Sequence, residues 1–457
     1  MKKEVKTETT PKEVRVLKKR ISELEKRQVE LILYYENELN QVHAKRFLLN
    51  CKRYISNNGL GKAIKSGFKT LGFLISRGLK FIIKRTKRPG NNKSLDSILK
   101  SNKNKKIIVF YPGYDWYMKM YQRPQHMAIH LAEQGYLYFY CTININDNVS
   151  GFEKIAKNLY VTNEWELLKK KLSKYNLIVY ANMNECLLPE LTQIIEEGNT
   201  VLYEYIDDLH DDLTKISRDL KERHKYVLEN DSIPVLCTAS HLQEKALKYR
   251  EKNIFLSSNG VLYNDFHITK DMPIPEKMKK MVGQGKPIIG YYGALASWFD
   301  YDLIAEIAKK RKDYNILLIG IDYDQTLEKY NYFKDFPNVE YIGIVPYKEL
   351  INYGAYCDVL TIPFVINEIT LSTSPVKVFE YMAMEKPIVT TDLPECRKYK
   401  SVLISKNHQE FIENIDKSLN SLKNDNEYKK LLKKEALENT WESKAKEVVN
   451  ILKGAKK

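Results

Sequence analysis

From Ile107 onward, short β-branched or aromatic runs alternate with longer stretches of helical periodicity, and part-way along the chain the rhythm begins again. The first series reads IIVFY, a helix over 124–134, YLYFYC, LIVY, TVLYEY, a helix over about 213–229, VLCT and a helix from Ser240. The second reads PIIGYY, a helix over 300–310, NILLIG, VEYIG, DVLTIP, a helix over 375–384, PIVTT and VLISK. Strands so uniformly apolar are buried on both faces, which requires parallel sheets covered by helices, the doubly wound α/β architecture. Two such series predict two Rossmann-like domains, over 105–270 and 271–457, joined through the Pro- and Gly-containing stretch 270–286. The interdomain cleft is the expected ligand site.

Residues 1–104 precede this pattern and differ from it. The chain has a net charge of +16, and eleven of its cations (Lys52, Arg53, Lys62, Lys65, Lys69, Arg77, Lys80, Lys84, Arg85, Lys87 and Arg88) stand between Cys51 and Gly90 with no Asp or Glu among them. The remainder carries +5, so nucleic acid is not an expected partner and the basic character belongs to one segment. There Leu60, Ile64, Phe68, Leu71, Ile75, Leu79 and Ile82 recur every three or four residues, the pattern of a helix lying on an anionic membrane surface. Glycines at 61, 67, 72 and 78 weaken that helix in water by roughly 1 kcal/mol each, so lipid is expected to complete it. A linker helix packed on the following domain is the alternative. Ahead of it, over 14–39, Leu17, Ile21, Leu24 and Leu31 fit heptad positions, with Gln28 and Tyr35 as poorer members. This predicts a helical arm over 1–48, either a coiled coil that makes a homo-oligomer or a solvated charged helix, followed by a basic segment and linker over 49–104. The stretch MKKEVKTETT has no apolar core of a secretion signal, and no run approaches the roughly 18 apolar residues of a membrane span. A cytoplasmic protein, peripheral at the inner face of the cell membrane, is the expectation.

Six scattered cysteines show no C-x-x-C pair and no metal-ligand spacing, so they read as small core residues. The stretch most informative about chemistry is TLSTSPVKVFEYMAMEKPIVTT, residues 370–391. Ser374 suits a helix N-cap and Pro375 the first helical position, so a helix starts directly after the polar loop Ser372-Thr373-Ser374. Its N-terminal amides and positive dipole end suit a diphosphate. Lys377 stands in the first turn, where a cation is unfavourable unless an anion offsets it. Glu380, three residues on, can accept both hydroxyls of a ribose. Spacing alone equally allows a plain surface ion pair.

The segment Pro375–Glu395, PVKVFEYMAMEKPIVTTDLPE, resembles the signature of glycosyltransferase family 4, and within it the bacterial enzymes of teichuronic-acid and capsule synthesis. Three further stretches agree in order. Gly113-Tyr-Asp-Trp-Tyr with Gln122-Arg-Pro-Gln-His-Met-Ala is similar to the first loop and helix of the N-terminal domain. Ser258-Asn-Gly-Val resembles the interdomain segment, and IGYYGALASWFDYDL from Ile289 the opening of the donor domain. The resemblance covers about residues 105–450. It implies the GT-B fold, a nucleotide-sugar donor held by Gly293, Ser372, Thr373, Ser374, Lys377 and Glu380, and acceptor contacts from Gly113, Tyr114, Arg123 and His126. It also implies a retaining reaction in which the departing phosphate oxygen takes the acceptor proton, with a lipid-linked or growing cell-surface polysaccharide as acceptor.

Two departures matter. Many relatives carry a second glutamate where this chain has Ser372, and an Arg and a Lys early in the donor domain, where none occurs between Gly290 and Asp302. Lys377 is then the remaining candidate for the phosphate charge. Asp207, in YEYIDDLHDD, follows a strand and faces the cleft as a second catalytic candidate, although this acidic run can equally start the next helix. Asp300-Tyr-Asp302 and Asp322-Tyr-Asp324 match a metal-binding D-x-D string, but Asp300 is better explained as an N-cap, and neither metal nor other cofactor is expected. Tyr114 and Trp116 read either as a sugar platform or as loop packing. The rival functions are a nucleotide-sugar epimerase of the same fold and a catalytically silent sugar-binding or scaffold subunit.

Overall fold

The computed structural model describes residues 91–118, 122–210, 216–327 and 332–454. The expected coiled coil and basic amphipathic segment lie outside them. The chain divides into two compact units, residues 1–95 with 143–149, and residues 96–142 with 150–457. In the first, the Asn144 side chain both donates to the Val149 carbonyl and accepts its N–H, each at 2.8 Å. The second holds both sheets.

Its first sheet comprises β1 (Ile107–Phe110), β2 (Leu137–Cys141), β3 (Phe152–Ala156), β4 (Leu159–Thr162), β5 (Asn176–Tyr180), β6 (Thr200–Tyr205), β7 (Val235–Cys237) and β8 (Ile254–Leu256). They lie in the order β3-β4-β2-β1-β5-β6-β7-β8. All pairs are parallel except β3 with β4. The strands β2 and β5 are buried throughout, as their apolar sequences require, whereas β3 forms an edge with Glu153 and Lys154 exposed. The second sheet comprises β9 (Ile288–Tyr292), β10 (Asn315–Ile319), β11 (Val339–Tyr341), β12 (Val359–Ile362), β13 (Ile388–Thr391) and β14 (Val402–Ser405). Its order is β11-β10-β9-β12-β13-β14, all parallel. Both sheets change winding direction beside their first strand, β1 between β2 and β5, and β9 between β10 and β12. Crevices at the carboxyl ends of such strands are where doubly wound folds bind ligands. The two Rossmann-like sheets bear out the expected fold.

Six helices matter for the site: α1 (Arg123–Glu133), α2 (Arg218–Glu229), α3 (Ser240–Leu247), α4 (Tyr301–Lys310), α5 (Val376–Ala383) and α6 (Trp441–Gly454). Pro124 sits in the first turn of α1, and the Gln125 side-chain oxygen accepts the Gln122 N–H at 3.3 Å. Asp300 caps α4 by accepting from Leu303 N at 2.8 Å, as its sequence position suggested. Two helix starts differ from expectation. Helix α2 begins at Arg218 with Ser217 as N-cap, so the acidic run after β6 does not open it. Helix α5 begins at Val376 with Pro375 in the cap position, because the Ser374 hydroxyl accepts from Asn259 N instead of capping. The cysteines at 141, 186, 237, 357 and 396 are buried free thiols.

The final helix adds an arrangement that the sequence reading of 271–457 did not contain. Helix α6 packs against α1 of the first domain, with the rings of Trp441 and His126 stacked 4.8 Å apart at 8°. Val261 N donates to Asn439 O at 3.0 Å, and Trp441 N to Val261 O at 3.1 Å. The chain leaving β8 therefore meets the chain entering α6. Between them is Gly260, where a Cβ would stand 2.9 Å from Asn439 O and 3.0 Å from Trp441 N. Both obstacles are backbone and cannot rotate away. Gly260→Ala is expected to cost about 1–3 kcal/mol in denaturant unfolding, whereas Gly283→Ala, with nothing within 4 Å of the added carbon, should stay near wild type. Equal stability of the two variants would show that the crossing is loose.

Candidate functional site

Helix α5 runs behind the carboxyl ends of β9 and β12, and Val378, Phe379, Tyr381, Met382 and Ala383 bury it in the domain core. That packing aims its first turn at the crevice. The Lys377 ammonium lies 5.8 Å from the ring centres of both Tyr291 and Phe364. Its alkyl chain crosses Gly293, where any Cβ would overlap it, and Gly293 has a φ of +149° that side chains rarely adopt. Burial lowers the Lys377 pKa, opposed by the charge of Glu380. Glu380 is 7% exposed. Burial pushes its carboxyl up to about 7, against the pull of Lys377 and of the Tyr292 hydroxyl. Glu380 is thus buried and Lys377 half-buried, and no ion pair within 4 Å joins them among the described residues.

The loop before α5 is ordered by its own side chains. The Thr373 hydroxyl donates to Ile369 O at 2.8 Å, and Ser374 is tied to Asn259. Ser372 is 1% exposed and its hydroxyl has no hydrogen-bond partner among the described residues. A buried hydroxyl left so is costly, which makes it a group available to a ligand.

Across from this loop, Asp207 follows the carboxyl end of β6. Burial and the neighbouring Asp208 push its carboxyl up to about 7. Asp208 is committed to Tyr205 OH at 2.9 Å, Lys245 Nζ at 2.5 Å and Leu209 N at 3.0 Å, while Asp207 has no ion pair or hydrogen bond among the described residues. Gly113 follows β1, so close to Met183 that a Cβ would stand 2.5 Å from its terminal carbon. Tyr114 is half-buried and donates to Asn182 Oδ1 at 2.9 Å. Trp116 is 4% exposed and packs edge-on against Tyr140, which makes it loop packing and not an open platform.

Two of the expected acceptor contacts are occupied within the protein. Arg123 is 4% exposed. Its Nε donates to Glu204 Oε2 at 2.7 Å, and its Nη1 to Ser258 O at 3.2 Å and Asn259 Oδ1 at 3.4 Å. His126 is 2% exposed against Trp441, and burial holds its pKa down at about 3, so its ring is neutral at physiological pH. Both residues were legible as motif members, but only the fold shows them turned inward.

Three polar contacts that sequence reasoning missed join the carboxyl ends of the two sheets. Ser240 N, at the start of α3, donates to Glu395 Oε1 at 2.7 Å, so a carboxylate of the second domain meets the positive end of a first-domain helix. Lys245 reaches Glu368 at 3.6 Å as well as Asp208. Asn259 binds Ser374, by its backbone N–H to the hydroxyl at 3.2 Å and by its side-chain amide to the carbonyl at 2.8 Å. Strand endings announce loops but not which loops meet, so no sequence signal could have paired them.

The D-x-D strings have local work. Asp300 also lies 3.1 Å from His408 Nε2, and Asp324 accepts from Ser297 N at 2.7 Å and Thr326 N at 3.0 Å. A cavity of about 330 Å³ opens at the opposite, amino ends of β12 and β13, lined in part by Asp358, Lys386, Pro387, Lys423 and Lys429. None of the expected site residues lines it.

Residues 286–421, which contain Gly293, the 372–374 loop, Lys377 and Glu380, match the family described as "Glycosyl transferases group 1". Over that stretch the chain is similar to group 1 glycosyltransferases. It is 23% identical over 269 residues to a Bacillus subtilis (strain 168) protein named as the teichuronic acid biosynthesis glycosyltransferase TuaH, a match spanning 51% of this chain and 66% of that one, just under two thirds. Among solved structures, sucrose-phosphate synthase from Thermosynechococcus elongatus superposes with a TM-score of 0.59 at 13% identity, covering 77% of this chain and 99% of that one. Anabaena HepE in complex with UDP-glucose does so with a TM-score of 0.55 at 12% identity, covering 76% and 99%. These likenesses bear out the GT-B fold and the resemblance to family 4.

Within the matched stretch 286–421, Glu380 makes stability depend on pH. Its carboxyl ionises near 7 in the folded chain against 4.5 for a free glutamate. Between those values the folded chain keeps a proton that the unfolded chain has released, so the contribution of this group to stability falls as pH rises from about 4.5 to about 7. Glu380→Gln removes that dependence. Its stability relative to wild type should improve by about 2 kcal/mol between pH 5 and pH 8 in urea unfolding. A gap that stays constant with pH would mean that Glu380 is solvated and ionised throughout.

Proposed function

We propose that this protein is a retaining glycosyltransferase that moves a sugar from a nucleotide-sugar donor to a lipid-linked or growing cell-surface polysaccharide. The observation that carries the proposal is the desolvated Lys377 at the N-terminal turn of α5, lying over Gly293 with Glu380 behind it. A cation that burial and the helix dipole both disfavour is offset by a diphosphate, and Glu380 in its ionised form accepts the ribose hydroxyls. In the reaction, the bond between the anomeric carbon and the phosphate oxygen breaks while that to the acceptor oxygen forms on the same face. The acceptor proton passes to the departing phosphate oxygen. Lys377 and the α5 amides stabilise the leaving diphosphate, and Asp207 orients the acceptor hydroxyl from the other side. No metal is assigned a role, since the cation and the helix terminus supply the positive charge.

The donor class is supported by the UDP-glucose complex of HepE, and the cell-wall acceptor by the name of the teichuronic-acid relative. A panel of nucleotide sugars in a thermal-shift assay identifies the donor, since a ligand at 100 times its dissociation constant adds about 2.7 kcal/mol. With that donor, Glu380→Gln should raise the Michaelis constant about ten-fold, and Lys377→Ala should lower turnover about a hundred-fold. EDTA should leave wild-type turnover intact. Normal kinetics in both variants would remove the donor site from residues 370–392, and activity lost to EDTA and restored by manganese would favour a metal-dependent reaction.

The acceptor reading places the protein at the cytoplasmic face of the membrane, through the basic segment 51–90. The full chain should then sediment with vesicles containing anionic phosphatidylserine and be released as salt rises, since each surface cation contributes about 1 kcal/mol of electrostatic attraction. A chain starting at Lys103 should remain in the supernatant. Equal binding by both would exclude the segment as the anchor.

A further inference from the structure

The loop that presents Lys377 is anchored to the other domain through Asn259. Helix α5 has no side-chain cap at its N-terminus. Ser374, two residues ahead of it and 5% exposed, is held by two hydrogen bonds from Asn259. Asn259 is itself fixed on both sides. Its side-chain oxygen accepts from Arg123, whose Nε is paired with Glu204 on β6, three residues before Asp207. Its neighbour Gly260 is pressed against the backbone of residues 439–441. A continuous polar path thus runs from the strand that ends beside Asp207, through Glu204, Arg123, Asn259 and Ser374, to the turn that carries Lys377.

From this geometry we infer that Asn259 is a positioning residue for the donor site, holding the 372–375 loop in register with the first domain. The inference rests on the donor reading above. Asn259 touches no reacting atom. Its side-chain amide donates to one domain's loop while its oxygen accepts from the other domain's arginine, a pairing that only a carboxamide of this length supplies. Aspartate keeps the acceptor and the shape but turns a donor toward Ser374 O into a repelling oxygen. Releasing the loop leaves both sheets and their cores intact while Lys377 and the α5 amides lose their shared aim.

The test is calorimetric binding of UDP and of GDP to the full chain, with thermal melting recorded without nucleotide. For the nucleotide that wild type binds, Asn259→Asp is expected to weaken affinity about ten-fold while the unliganded melting temperature stays within a few degrees. Ser374→Ala, which removes the hydroxyl that accepts from Asn259 N, should weaken it in the same direction. The double variant should weaken it by less than the product of the two single effects, because both changes break one link. Wild-type affinity in both single variants would overturn the positioning role and leave the donor reading standing. Failure of wild type to bind either nucleotide would overturn both. Should Asn259→Asp fail to fold, the affinity of Ser374→Ala decides, and an unchanged value counts against the inference.

Discussion

A buried guanidinium sets the geometry on which the rest of this molecule depends. Taking an arginine out of water costs several kcal/mol, recovered only where its N–H groups find well-placed acceptors. Arg123 meets Glu204 on one edge, the 258–259 segment on another and the Trp441 ring at 5.9 Å on its face. Its three kinds of partner come from a central strand, from the connection between domains and from the final helix. Satisfying one charge therefore fixes three remote stretches of chain together. The remaining Nη2 of Arg123 and Oε1 of Glu204 are buried without partners, which adds to the penalty and makes the existing bonds harder to exchange.

At the carboxyl ends of the sheets the electrostatics run against ordinary preferences. Two carboxyls, Asp207 and Glu380, are held near neutrality by burial, one on each domain. Lys377 stands where both burial and the helix dipole penalise its charge. Such arrangements are unfavourable in isolation and persist where the surrounding packing dictates them, here the aromatic floor of Tyr291 and Phe364 and the bare backbone of Gly293. On the proposed donor reading, an anion beside the lysine offsets that cost.

The six strands of the second sheet were legible as β-branched, aliphatic or aromatic runs, although β11 carries the exposed Glu340, while β3, β4 and β8 of the first were not. FEKIA and LYVT are short and joined by a tight turn at Asn158, and β8 is three residues long and only partly buried, so none shows a clear period. For the site, helix position and residue type pointed to Lys377 and Glu380 and the family resemblance to Gly293, and the fold sets Lys377 across Gly293. The resemblance put Arg123 and His126 among ligand contacts, and the fold buries both side chains, because a motif tells which residues matter and not which way they face. The roles of Glu204, Glu395 and Asn259 were invisible, since they depend on residues 81, 155 and 115 positions apart along the chain meeting in space.

The return of helix α6 to the first domain means that the backbone passes between domains twice, once after β8 and once before Trp441. The two passages touch, through the hydrogen bonds that join Val261 to Asn439 and Trp441. Two separated strands of chain would act as a pair of hinges and confine the domains to swinging about the line between them. Two strands pinned at one place fix a distance and leave direction to be set elsewhere, here by the contacts of Ser240 with Glu395, Lys245 with Glu368 and Asn259 with Ser374. Breaking those contacts would leave the crossing beside Gly260 as the point about which the gap between Asp207 and Lys377 could change. The glycine there is thus a bearing surface, and its lack of a side chain is what lets the joint be small.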